Sequence, residues 1–271
     1  MSDKDEATHN EILHRIHTSG SIPISPELFE QLYLAPKSHV KGQLRQTFGN
    51  PTPIGLLLCA MPLSMVLLEW QGAGGFGGAA NVGSYFYLGG LLLILGAIGE
   101  WILGNTFPAT IFSIFGGFWY SLGATIVPSY GAYGLYSVNG TSDPAQGLQE
   151  PAFFATFAFL LIAMALVCAF FAIASIRTNI AFFSILVLLV PAFACLSAWF
   201  FAISKGSPSA STYKHVGAGI FLAVSLLGWY VFLSLILLSV DFPLVLPLGD
   251  LSTVVPGRSE RIKKADALMD C

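Results

Sequence analysis

The chain has 271 residues, 55% of them hydrophobic and 10% charged, with a net charge of −3 and a mean hydropathy of +0.72. A soluble domain carries about 25% charged residues, so this balance excludes an ordinary soluble globule. The apolar runs are long and continuous rather than alternating, which predicts an all-α integral membrane protein in a lipid bilayer and not a membrane β-barrel; nucleic acid is not an expected partner.

Residues 1–49 read as a polar cytosolic tail. They contain no apolar run that would serve as a signal peptide. His14 and His17 can share a helix face, but in a solvated tail no metal role is expected. The stretch Asn50-Pro51-Thr52-Pro53-Ile54-Gly55-Leu56 then stands at the water–membrane boundary and opens the first span. Pro51 and Pro53 lack N–H donors, which costs nothing in a first helical turn, where those donors have no intrahelical partner. The Asn50 side chain can cap free N–H groups or present its amide to a ligand, and a helix N-terminus favours anions.

Six spans of about 20 residues are expected, the length a bilayer needs. They cover 52–70, 84–103, 107–127, 152–175, 180–203 and 216–239, within a transport domain of residues 50–240 that is followed by a cytosolic tail, 241–271. With a cytosolic N-terminus, the inner side holds Lys37, Lys41, Arg45, Arg177, Arg258, Arg261, Lys263 and Lys264, whereas the outer loops hold only Lys205 and Lys214. That asymmetry sets both termini inside. The sequon at Asn139, in the long loop 128–151, then falls outside as a glycosylation candidate. The connection Gly104-Asn105-Thr106 is short enough to make spans two and three an antiparallel pair. Small residues at helical spacing, such as Ala194, Ala198 and Ala202 or Gly219 and Ala223, mark faces for close helix contact.

Ionisable residues within a bilayer are costly and are functional candidates by default. Glu69, Glu100 and Asp241 all lie near a span end, and His215 sits at the outer mouth of span six. Glu100 is the best candidate: beside Asn105 and Thr106 it reads as a tie holding the hairpin, with a proton site as the other reading. Cys59, Cys168, Cys195 and Cys271 show no metal or CxxC spacing. No nucleophile–base pair, phosphate-cradling loop or HExxH stretch is present, so neither an enzyme nor a cofactor or metal is expected.

The motifs carry a resemblance. Asn50-Pro51-Thr52-Pro53-Ile54-Gly55-Leu56 resembles the NPAPLGL signature of the acetate uptake transporter, or succinate–acetate permease, family. Tyr87-Leu88-Gly89-Gly90-Leu91 is similar to that family's YGG segment. Glu100 with Gly104-Asn105-Thr106-Phe107 is similar to its E-x3-GNTF, and Phe115-Gly116-Gly117-Phe118-Trp119 to its aromatic-Gly-Gly-Phe-Trp segment. Gly228-Trp229-Tyr230 resembles the Ala-Trp-Tyr of its last span. The long N-terminal extension resembles the fungal members.

The resemblance implies a six-helix bundle assembled as a homo-hexamer with one pore per subunit. It implies plasma-membrane uptake of acetate and other small monocarboxylates with a proton. Carried over by position, Asn50, Pro51, Pro53, Gly55 and Leu56 border the substrate entrance, and Cys59, Phe115 and Ile185 form the pore constriction. An aromatic is usual at the position of Cys59, so this chain departs there, as it does with Thr52 for Ala, Ile54 for Leu and Pro108 for Gly. Two other readings stay open: a channel for acetate or ammonia, and a membrane signalling or scaffold protein that keeps the fold without the flux.

Overall fold

The computed structural model describes residues 48–56, 58–75, 78–137, 144–251, 254, 255 and 257. The N-terminal tail, the sequon at Asn139 and the basic residues from Arg258 to Lys264 lie outside the described residues. Among those described, nearly all regular structure is helical, and an isolated antiparallel bridge joins Asn179 to Asp250.

Among the described residues, five helices are long and apolar enough to cross a membrane. They are α2, Ala79–Ile102; α3, Thr106–Ile126; α4, Pro151–Ala174; α5, Ile180–Ser204; and α6, Ala210–Ser239. Prolines Pro108 and Pro151 both fall in a first turn, where a missing N–H is free of cost. Within α2, residues Tyr85–Leu91 wind as a π-helix through the Gly89-Gly90 pair. Such wider turns are rare and occur mostly as local features near functional sites.

The first span differs from the continuous 52–70 helix that hydropathy predicts. A 3-10 turn covers Thr52–Gly55, Leu56 is extended (φ −86°, ψ 152°), and an α-helix, α1, begins only at Ala60 and ends at Leu67. Pro62 explains the restart. In a continuous helix it would sit in the interior, unable to donate to Leu58 and clashing with that carbonyl. In α1 it occupies the first turn instead.

The broken segment is held against the glycine face of α2. A Cβ on Gly96 would lie 2.7 Å from Gly55 Cα and 2.8 Å from Gly55 N. A Cβ on Gly99 would lie 2.5 Å from Pro51 Cβ, and one on Gly89 would lie 2.7 Å from Cys59 Sγ. Glycine at these three positions is therefore what lets the backbones approach so closely. On its other side α1 packs on α6, and α3 packs on α2. Helices α4, α5 and α6 are successive antiparallel neighbours. Phe107 on α3 meets Phe171 of α4 and Phe182 of α5 edge-on, which ties the two halves together at one end.

At mid-depth the halves meet through rings. Trp119 contacts Phe118 at 5.7 Å between centroids, Phe118 contacts Phe193 at 5.3 Å, Phe193 contacts Phe221 at 6.2 Å, and Phe221 returns to Trp119 at 6.5 Å. Tyr85 stacks on Trp119 at 5.5 Å. Edge-to-face and offset pairs of this kind each add about 0.5–1.5 kcal/mol beyond burial.

After α6 the chain folds back as a strap. The Leu248 and Gly249 carbonyls accept the N–H groups of Ala181 and Ile180 at the free start of α5. Tyr230 Oη donates to the Pro247 carbonyl at 2.7 Å, and Leu248 is buried in the core.

Candidate functional site: the entrance and neck

The candidate entrance residues gather where the broken first span meets α2. Asn50 is half-buried, and its Oδ1 accepts the Thr52 N–H at 2.9 Å, so the side-chain oxygen serves as a local cap and the amide nitrogen remains for another partner. Pro51 is buried against Gly99, and Gly55 against Gly96 and Phe112. Leu56 is buried in the core, whereas Pro53 is half-exposed.

Glu100 lies deeper than its position near a span end suggests. It is 1% exposed. Thr52 Oγ1 donates to Glu100 Oε1, and Asn105 Nδ2 donates to Glu100 Oε2 at 2.6 Å. Both donors satisfy carboxyl oxygens that burial would otherwise leave unpaired. The tie therefore reaches beyond the α2–α3 hairpin. Asn105 comes from the hairpin turn, and Thr52 comes from the first span. Gly104, with φ +78°, makes the turn that brings Asn105 back over Glu100.

The three candidate neck residues, Cys59, Phe115 and Ile185, are all buried in one core cluster. Cys59, 0% exposed, crowds the place that a Gly89 Cβ would take, together with the Trp119 ring. Phe115 lies one helical turn before Trp119 on α3, and Ile185 lies on α5. The Trp119–Phe193–Phe221 grouping was not singled out from the sequence. Its signal was weak, because aromatic residues are scattered along every span and only helix packing selects these.

At the opposite end, Glu69 and α6 meet. Lys214 Nζ lies 2.5 Å from Glu69 Oε1, and His215 Nε2 lies 3.4 Å from Oε2. The hydrogen bond and charge of Lys214 hold the Glu69 carboxyl below the usual carboxylate range. These residues satisfy one another at an exposed rim, so they are a tie between α1 and α6 rather than a mid-membrane site. Asp241 is exposed, with φ +52°, in the turn after α6.

Comparison with known proteins agrees with this architecture. "Protein alcS" of Aspergillus fumigatus is 39% identical over 237 residues, covering 86% of each chain. "Acetate transporter protein patA" of Aspergillus clavatus is 31% identical over 222 residues, covering 80% of this chain and 85% of its own. Among solved structures, the bacterial acetate channel SatP shares the fold at a TM-score of 0.51 and 20% identity, over 74% of this chain and 99% of that one. The sequence pattern of the GPR1/FUN34/yaaH family matches residues 33–252. On that match and on the extent of the similarity to its relatives, the chain belongs to the GPR1/FUN34/yaaH family, a family of membrane transporters and channels rather than enzymes.

Proposed function

We propose that this protein moves acetate and other small monocarboxylates across the plasma membrane, together with a proton, by way of the entrance at Asn50 and the neck at Cys59, Phe115 and Ile185. The observation that carries the reading is the break in the first span between Gly55 and Ala60. Non-helical backbone at membrane depth is tolerated only where protein or a polar pathway satisfies it. Discontinuous helices of this kind mark substrate sites in other transport folds. The activity named for the relative from A. clavatus supports acetate as the substrate.

The chemistry fits a small carboxylic acid. The neck is apolar and aromatic, so it accepts the methyl group and passes the neutral acid at little desolvation cost. At the entrance the anion meets dipoles rather than a fixed cation: the Asn50 amide and the polar backbone of the first turn. Dipoles bind loosely enough to permit release, whereas a buried ion pair would hold the substrate. In this reading both termini are cytosolic, Glu100 holds the entrance in shape, and six copies assemble with a pore in each.

Asn50 allows a clean test, because its two side-chain atoms do different work. Asn50→Asp keeps the oxygen that caps Thr52 and removes the amide donor, while adding a charge that repels the anion. Its acetate affinity should fall roughly tenfold or more, the loss expected for a hydrogen bond to a charged group, in a protein that still folds. Wild-type uptake kinetics for Asn50→Asp would leave Asn50 as a helix cap and move the entrance elsewhere.

A further inference from the structure

Two buried donors near the proposed neck, Trp119 Nε1 and Ser225 Oγ, have no partner among the described residues. Trp119 Nε1 and Ser225 Oγ belong to residues 1% and 0% exposed, and neither makes a hydrogen bond. Ser225 is the exception among the described buried serines. Ser64 donates to the Ala60 carbonyl, Ser175 to Ala172, Ser197 across to Ala158, and Ser234 to Leu246. A hydroxyl on an apolar helix usually bonds the carbonyl one turn back, and Ser225 does not. Leaving a buried donor unpaired costs about 1–3 kcal/mol, so each such group needs a reason.

The two donors sit on facing helices, about one helical turn apart along the axis. Trp119 and Phe221 touch ring to ring between α3 and α6. Ser225 follows Phe221 by four residues and so shares its helix face, about 6 Å further along the axis. Phe115 precedes Trp119 by four residues. Because α3 and α6 run in opposite directions, both displacements point toward the same end of the bundle, and Ser225 comes level with Phe115. Helical side chains also lean toward their own N-terminus, so on these antiparallel helices the Trp119 indole and the Ser225 hydroxyl lean toward one another, with the space between them for a carboxyl group to bridge. The indole has no freedom to turn away. Tyr85 stacks on one side with rings 28° apart, Gly89 lies against its Cγ, and Phe118 and Phe221 hold its edges.

We propose that Trp119 and Ser225 form a carboxyl-binding site in the neck, the point at which a small monocarboxylate is held midway. The inference rests on the transport reading above and adds two residues to it. An indole N–H only donates, so it meets the carbonyl oxygen of the acid or one oxygen of the anion. A hydroxyl both donates and accepts. Ser225 therefore donates to the carboxylate and, when the substrate is protonated, accepts the acid's O–H. The pair thus serves both protonation states without a buried cation, and the rings and Cys59 receive the alkyl group.

Two measurements on the full-length protein separate this site from the transport reading. In lipid nanodiscs, the indole Nε1–H resonance of Trp119, assigned by its loss in Trp119→Phe, is followed while acetate is added. It should shift in the wild type and shift far less, at matched acetate, in Ser225→Ala. In liposomes, Ser225→Ala should lower apparent acetate affinity about tenfold, and Ser225→Thr, which keeps the hydroxyl, should restore most of it. An acetate-dependent shift without uptake supports the site while the transport reading fails. An unmoved Trp119 resonance, together with wild-type uptake kinetics in Ser225→Ala, overturns the site and leaves the two donors to a trapped water.

Discussion

Thr52→Val probes the contact that joins the first span to the α2–α3 hairpin. The change is nearly isosteric and removes one donor from Glu100, which also accepts from Asn105 Nδ2 at 2.6 Å. Glu100 is 1% exposed, so water cannot replace the lost hydroxyl. A hydrogen bond to a charged group is worth about 1.5–3 kcal/mol. For a folded body of this size that corresponds to a fall in midpoint temperature on the order of 5 °C. Glu100→Gln should be milder than Glu100→Ala. Its amide oxygen still accepts from Asn105, and its nitrogen donates to a Thr52 hydroxyl that turns to accept. Alanine leaves both donors orphaned. The assay is thermal denaturation of the purified protein in detergent, read by size exclusion, with the Thr52→Val/Glu100→Ala double variant closing a cycle, since alanine removes the contact that glutamine retains. The cycle should show coupling of at least about 1 kcal/mol. Additive effects, or a Thr52→Val midpoint within about 1 °C of wild type, would refute the tie.

Three other outcomes follow from the same packing. Gly96→Ala places a methyl 2.7 Å from Gly55 Cα, where the obstacle is backbone and cannot rotate away, so the variant should lose about 1–3 kcal/mol or more and fail to accumulate in membranes. Cys59→Phe should fail the same way, because the Cys59 sulfur already fills the gap at Gly89, whereas Cys59→Ala should fold and transport; a stable Cys59→Phe with altered substrate range would mean that the neck is wider than its packing shows. Glu69 titrates below the usual carboxylate range through Lys214, so its contribution to stability is present above its ordinary pKa and is lost as pH falls through the lowered value. The difference in melting midpoint between wild type and Glu69→Gln should be small and should vanish on acidification through that range, and a difference that persists at low pH would assign it to packing instead.

Hydropathy located helices α3, α4 and α5 to within a residue or two, because each is apolar from end to end and bounded by Pro, Gly or charge. It started α6 six residues late, at 216 rather than Ala210, because Ser211, Lys214 and His215 look like loop. In the fold they extend the helix, and Lys214 finds Glu69 there. The break in the first span was readable in principle. Pro53, Gly55 and Pro62 cannot all serve one uninterrupted helix, yet a window average hides them among leucines. Glu100 and Asn105 were legible as neighbours at a tight turn. Thr52 as the second donor was not, since a contact across 48 positions has no local signature. The terminal strap was equally hidden. Its hydrogen bonds use carbonyls, and any residue can supply those.

The measurement that bears most directly on the function is uptake of labelled acetate by the purified protein in liposomes, with and without an acidic exterior. Saturable uptake well above that of protein-free liposomes is expected, faster when the exterior is acidic and competed by other small monocarboxylates. Uptake no greater than in protein-free liposomes under both conditions, from protein that remains folded and inserted, would contradict the transport reading.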